Sequence, residues 1–401
     1  MREEKRKKII ENVNCHIISI IILMNALQII IAWDFGFIFN MWIEYVIILI
    51  LLLINKVRIV NIKNIVAIGI SGIIIAFNLL FNGSKTLNFY INEFLLFSLP
   101  LLLIFLIEID LKKFTKIFFF YNIINTILYL LLLVINPEKL VEDYMTFGFY
   151  AIFSATYVFI YSYYYKNIKM MIFGIVSLPI ICINGNRGTI LIVAVALIIM
   201  LIMNAKNLKK KIAIIFIFII LGMNINQIGR SILDFITQDL GITSYSVNNL
   251  YKMLESDDIE TTIGGRYDIY RNALEEFEQH LILGIGIASF QEKYGYFPHN
   301  IFLDVYSTFG IIGGTLYFLY ILFLIFKLYK ISEQSLEVKI LFIFMIANIM
   351  KLMLSKTFVY DPTIWLLISL GNYILVYNRK EKSKNQEEKN NYVEEVKQQS
   401  L

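Results

Sequence analysis

Cysteine, proline, histidine and charge are all scarce in this chain. It has two cysteines, Cys15 and Cys182, both in or beside apolar runs. That excludes a disulfide framework and a cysteine-based metal cluster, and leaves two small apolar core residues. Only five prolines interrupt the chain, and charged residues make up 17% of it. Such a balance does not describe a soluble domain. The three histidines are far apart, there is no Asp-x-Asp pair, and no His/Cys group has metal-ligand spacing, so the sequence offers no metal site. The formal net charge is only +5. Nothing in its distribution suggests nucleic acid.

What the chain has is Ile, Leu and Phe in long runs. Apolar stretches of about 17 to 25 residues recur along its length, each able to cross a hydrocarbon core as a helix. The first, Cys15 to Ala32, follows the basic start Met1 to Lys8. It ends in Trp33-Asp34-Phe35 rather than in a small-residue cleavage site, so it reads as a retained span and not a signal peptide. Further spans are expected at 42–54, 64–80, 91–107, 114–135, 147–165, 169–184, 188–203, 211–228, 301–326, 338–355 and 363–378. The reading is an all-α polytopic membrane protein with about twelve transmembrane helices.

Basic residues set an orientation on that series. MREEKRKK, NKVRIVNIKN, EIDLKKFTK, KNIK, NAKNLKKK, KLYKISEQSLEVK and the tail beginning RKEKSK all fall on one side, which the positive-inside rule makes cytoplasmic. The opposite loops WDFGFIFNM, FNGSKTLNFY, NPEKLVEDYM and NGNRG are poor in them. Both termini are then cytoplasmic. The chain divides into an N-terminal transmembrane bundle (1–228), a long extracytoplasmic loop (229–298), C-terminal transmembrane helices (299–378) and a polar, unstructured cytoplasmic tail (379–401).

An external segment of roughly 70 residues is too long to be an idle connection. Its first half, including the acidic stretch Glu255 to Glu260, carries no assignable pattern. In its second half Tyr267, Tyr270, Leu274, Phe277 and Leu281 recur every three or four residues. That periodicity predicts an amphipathic helix, lying on the outer face or against the bundle. Gly264-Gly265 precede it and LGIGIAS follows as a breaker.

The candidate site residues lie around this helix. Arg266, at a glycine-preceded helix start, can offer a guanidinium and free N–H groups to an anion, or remain a solvated arginine paired with Asp268. His299 follows a proline at the outer mouth of a span, and is open to reading as a general base or as an interfacial ring without chemistry. His280 reads first as a helix-end cap and second as an accessory polar group, and Arg271 is a further accessory candidate. Arg187 sits in the tight loop NGNRG, where backbone and guanidinium can approach a ligand together. Asp304 and Lys351 are expected to pair within the membrane.

Three stretches resemble the O-antigen polymerase and O-antigen ligase family: NGNRGTILIV (184–193), GGRYDIYRNALEEFEQHLILGIGIASF (264–290) and PHNIFLDVYSTFGIIGG (298–314). Leu281-Ile282 stands where the family often has a proline after the histidine, and NGN where other residues often precede the RG. The resemblance implies a metal-independent, inverting glycosyltransferase without cofactor, working outside the bacterial cytoplasmic membrane. Its donor would be an undecaprenyl-diphosphate-linked oligosaccharide and its acceptor a lipid-linked repeat unit or another glycan acceptor. Membrane lipids, a chain-length regulator and a flippase would be its partners. His299 would be the catalytic base, and Arg187 and Arg266 the cations facing the diphosphate. Capsule, exopolysaccharide and O-antigen synthesis all fit. A transporter of lipid-linked oligosaccharide is the competing class, but the chain shows neither an internal repeat nor a line of charges through its spans.

Overall fold

The computed structural model describes residues 2–35, 41–55, 61–81, 85–135, 144–184, 187–239, 241, 247 and 266–399. Among these, all regular structure is helical. The elements are α1 (Arg2–Phe35), α2 (Met41–Ile54), α3 (Ile62–Phe81), α4 (Lys85–Glu93) continuing through a π-turn (Phe94–Ser98) into α5 (Leu99–Ile104), α6 (Leu111–Ile135), α7 (Tyr144–Tyr164) and α8 (Ile168–Asn184). They continue with α9 (Arg187–Asn204), α10 (Leu208–Met223), α11 (Ile225–Asp234), α12 (Tyr267–Gln279), α13 (Ser289–Tyr294), α14 (Ile301–Ser332), α15 (Leu336–Ile349) and α16 (Pro362–Gln399).

Among the described residues, three helical stretches are long and apolar enough to cross a membrane: Thr86–Ile104, Leu111–Ile135 and Ile301–Ser332. Glu44–Ile54, Ile62–Ala76, Ile168–Asn184 and Gly188–Asn204 are shorter apolar helices. This is an integral membrane protein; the expected twelve crossings exceed what these lengths alone establish. α16 runs as helix through Gln399, where the sequence read an unstructured tail. Lys, Glu and Gln dominate that stretch, and all are good helix formers.

The core lies between α1, α5, α6, α7, α15 and α16. Its centre is aromatic: Phe118 meets Tyr157 at 4.6 Å and Phe344 at 5.9 Å between ring centroids, and Phe153 meets Phe344 at 4.6 Å. Offset and edge-on rings fill volume well and bring π-electrostatic attraction with them. Buried polar side chains add the directional contacts that apolar packing cannot provide within lipid. Asn14 and Asn55 exchange amide hydrogen bonds of 2.9 Å, and Asn14 also donates to the Glu108 carbonyl. Asn64 donates to the carbonyls of Leu102 and Ser369, tying α3 to α5 and α16. His16, the third histidine, meets Tyr121 at 3.2 Å and is absorbed into the α1–α6 packing.

α14 is broken. Gly310 has φ 62° and ψ −168°, which no helix contains. The carbonyls and amides freed there pair with the segment after α12: Ile285 and Gly286 donate to Ser307 and Thr308, while Ile311 donates to Leu281 at 2.8 Å. Backbone groups at such a break must find partners, because lipid offers none. The segment 281–286 supplies them.

Candidate active site

α12 forms where the periodicity predicts a helix and packs against the bundle, but largely by a different face: Tyr267 and Leu274 of the expected apolar stripe are about half exposed. Ala273 and Glu276 are its buried residues, and Phe277 meets Tyr306 of α14 at 5.7 Å. Glu276 is an acid at a packed position because it ties α13 to α12. Its carboxylate accepts from Lys293 and from the Tyr294 hydroxyl at 2.7 Å. Burial opposes its ionisation, but these two hydrogen bonds prevail and hold it below the usual carboxylate range. Asn272 donates to the Tyr296 hydroxyl at 2.8 Å, and Asn78 of α3 accepts from Ile287 N. The turn leading to α14 is thereby fixed on three sides.

That turn ends in Pro298-His299-Asn300. Asn300 caps α14, its side chain accepting from Phe302 N at 2.9 Å and Leu303 N at 3.3 Å. This is the usual work of asparagine at a helix start. His299, immediately before the cap, has φ 55°, a left-handed conformation rare for a side chain of its size. Its ring lies 4.3 Å from that of Phe297, and its Nδ1 is buried with no hydrogen-bond partner among the described residues. Burial first, and the charge of Arg266 second, push its pKa down to about 4. The imidazole is therefore neutral at pH 7, with one nitrogen buried and without a hydrogen-bond partner among the described residues.

Arg266 stands immediately before α12, half-buried. The structure thus brings together Arg266 and His299, which are separated by the whole of α12 and α13 in the chain. Arg187 is the first residue of α9, with Gly188 and Thr189 buried behind it. Its side chain, Gly185-Asn186, Gly264-Gly265 and the acidic stretch 255–260 lie outside the described residues. Arg271 is exposed and ion-paired along its own helix, at 2.9 Å to Asp268 and 3.8 Å to Glu275. His280 caps α12: its N–H donates to the Glu276 carbonyl at 3.0 Å and its ring lies 3.6 Å from the Glu276 carboxylate.

The expected pairing of Asp304 with Lys351 does not form. Lys351 pairs with Asp361 at 2.8 Å, both buried, so the ion pair closes the ends of the 352–360 loop. Asp304 instead accepts from Phe358 N at 3.2 Å and from the Thr357 side chain, holding the middle of that loop against α14 one turn beyond Asn300. Trp365 donates to the carbonyls of Phe358 and Val359. Lys356 stands in this pinned loop with φ 66°, and Glu93 of α4 faces it. Neither was apparent from sequence, since nothing in the order of residues says that α4 and the α15–α16 loop meet.

His299, with a nitrogen that has no hydrogen-bond partner among the described residues, thus lies within reach of the charge of Arg266. Residues 172–318, running from α8 into α14, match the family model described as O-antigen ligase. The matched stretch contains Arg187, Arg266, His280, His299, Gly284 and Gly310, and agrees with membership of the O-antigen polymerase and ligase family. No curated protein matches the chain.

Proposed function

We propose that this protein is a polysaccharide repeat-unit polymerase on the outer face of the bacterial cytoplasmic membrane. It transfers a glycan from undecaprenyl diphosphate to a lipid-linked repeat unit, in capsule, exopolysaccharide or O-antigen synthesis. The observation that carries this reading is the buried Nδ1 of His299, neutral and without a hydrogen-bond partner among the described residues, within reach of the charge of Arg266. His299 takes the proton of the acceptor hydroxyl as its oxygen bonds to the anomeric carbon. The bond from that carbon to the diphosphate breaks, and its electron pair leaves with the diphosphate, inverting the centre. Arg266 and Arg187 offset the charge that grows on the leaving group. A pKa near 4 makes His299 a weak base. A bound diphosphate neutralises Arg266 and adds negative charge nearby, which raises the imidazole toward the working range.

A second reading is a ligase that moves the glycan to a different acceptor, favoured by the description of the matching family model. The two are separated by the products of cells that carry wild type or His299→Ala in place of the native protein. Long glycan from wild type and single lipid-linked repeat units from the variant support the polymerase. Long glycan that accumulates on the carrier lipid in the variant supports the ligase.

A further inference from the structure

We propose that the turn Leu281-Ile282-Leu283 is a wedge inserted into the bilayer hydrocarbon, which sets the height of the Arg266–His299 site above the membrane. The three side chains are 48%, 60% and 73% exposed, a run of large apolar residues at the tip of the segment that was expected to be polar and external. The turn is nonetheless rigidly placed. Leu281 O accepts from Ile311 N, Gly284 N donates to His280 O at 2.9 Å, and Ile285 and Gly286 are bonded to Ser307 and Thr308. A flexible apolar loop can fold away from water. This one is held outward by main-chain bonds to a membrane helix.

Its depth follows from α14. That helix is interrupted at Gly310, and its unbroken part from Ile311 onward can be measured at the ordinary helical rise against a hydrocarbon core of ~30 Å. Lys327 and Lys330, each lying over a phenylalanine ring of its own helix, mark the far interface by their charge. Ile311, the first residue past the break, stands about 16 residues before Lys327, ~24 Å at that rise, and so falls within the hydrocarbon core, short of the near boundary. The carbonyls of Leu281 and Ile282 accept from Ile311 N and Ile312 N, on the hydrocarbon side of that boundary. They are continuous there with the exposed side chains of Ile311, Ile312 and Leu316, the lipid-facing surface of α14.

His299 precedes the start of α14, and the headgroup layer is roughly 6 Å thick on each side. The diphosphate of a membrane-anchored lipid lies within that layer, and the first sugar just above it. This functional part rests on the proposed glycosyltransferase reading; the insertion itself does not, and it requires no choice of membrane side.

The test is a nitroxide placed on Leu283→Cys or Ile282→Cys in full-length protein lacking Cys15 and Cys182, reconstituted in phosphatidylcholine–phosphatidylglycerol vesicles, with Glu278→Cys as the reference. Collision with oxygen, which concentrates in hydrocarbon, is compared with collision with a water-soluble nickel chelate. The proposal expects the oxygen-to-nickel ratio at 282 and 283 to exceed that at 278 by several-fold. Equal ratios would mean that the turn stands in water, and protection from both reagents would mean that protein covers it; either overturns the insertion. Insertion with no glycan transfer by unlabelled wild type in the same vesicles supplied with a lipid-linked repeat unit would overturn the functional reading and leave the wedge standing.

Discussion

Gly284 and Gly310 meet backbone to backbone, and each occupies a conformation that the other's approach requires. Both have positive φ, 71° and 62°. A Cβ built on Gly310 would lie 2.6 Å from the Gly284 nitrogen, and one on Gly284 would lie 2.5 Å from the Gly310 nitrogen. The contact joins the break in a membrane helix to the segment that carries the candidate site.

Substitution at either position therefore faces strain and a clash together. Gly284→Ala and Gly310→Ala are each expected to cost about 2–4 kcal/mol. The double variant is expected to cost less than the sum, because both remove one shared contact. Thermal unfolding in detergent measures this. Additive or negligible shifts would show that the two glycines do not depend on each other.

His299 gives stability a pH dependence of known sign. Its pKa of about 4 in the folded protein lies below the ordinary 6.5, so the unfolded chain binds more protons between these values. Its contribution is fully present above about pH 6.5 and is lost as pH falls toward 4. The difference in melting temperature between wild type and His299→Gln should narrow or reverse over that window. A difference constant from pH 7 to 4 would contradict the depressed value.

Lys351 and Asp361 form a buried ion pair, and breaking one partner strands the other. Lys351→Met is expected to destabilise by about 3–5 kcal/mol, with part of this recovered by adding Asp361→Asn. A double-mutant cycle of Lys351 with Asp304 should give a coupling within about 0.5 kcal/mol of zero. Strong coupling in that cycle would restore the pairing expected from sequence.

Arg271 is exposed, and its two ion pairs stay on its own helix. Arg271→Ala is expected to change stability by about 0–1 kcal/mol and to leave glycan transfer near the wild-type rate. Glu276→Ala, which frees α13 from α12, is expected to cost about 1–3 kcal/mol by stranding the groups that the carboxylate satisfies. Equal effects of the two substitutions, on stability and on transfer, would erase the distinction drawn between them.

Much of the helical content was legible because apolar runs and basic loops report it directly; the position of α12 was legible from its spacing, while the face it buries, with Ala273 and Glu276, was not. Arg266 and His299 were legible as residue types in a recognisable order, though their proximity was not. The break at Gly310 was hidden, since Phe-Gly-Ile-Ile-Gly-Gly within an apolar run reads as ordinary transmembrane helix until another backbone is known to approach it. The partner of Lys351 was hidden for a related reason. Asp304 and Asp361 both lie in apolar surroundings, and only the docking of the α15–α16 loop on α14 decides between them. The apolar exposure of Leu281 to Leu283 was likewise invisible, because periodicity assigns Leu281 to the packed face.

The most direct test of the proposed chemistry is transfer by purified protein in vesicles containing a lipid-linked repeat unit, comparing wild type with His299→Gln variants whose melting temperature above pH 7 matches wild type. The account predicts chains of several repeats on one carrier lipid from wild type and unchanged single repeats from the variant. Elongation by the variant at the wild-type rate would remove His299 as the base.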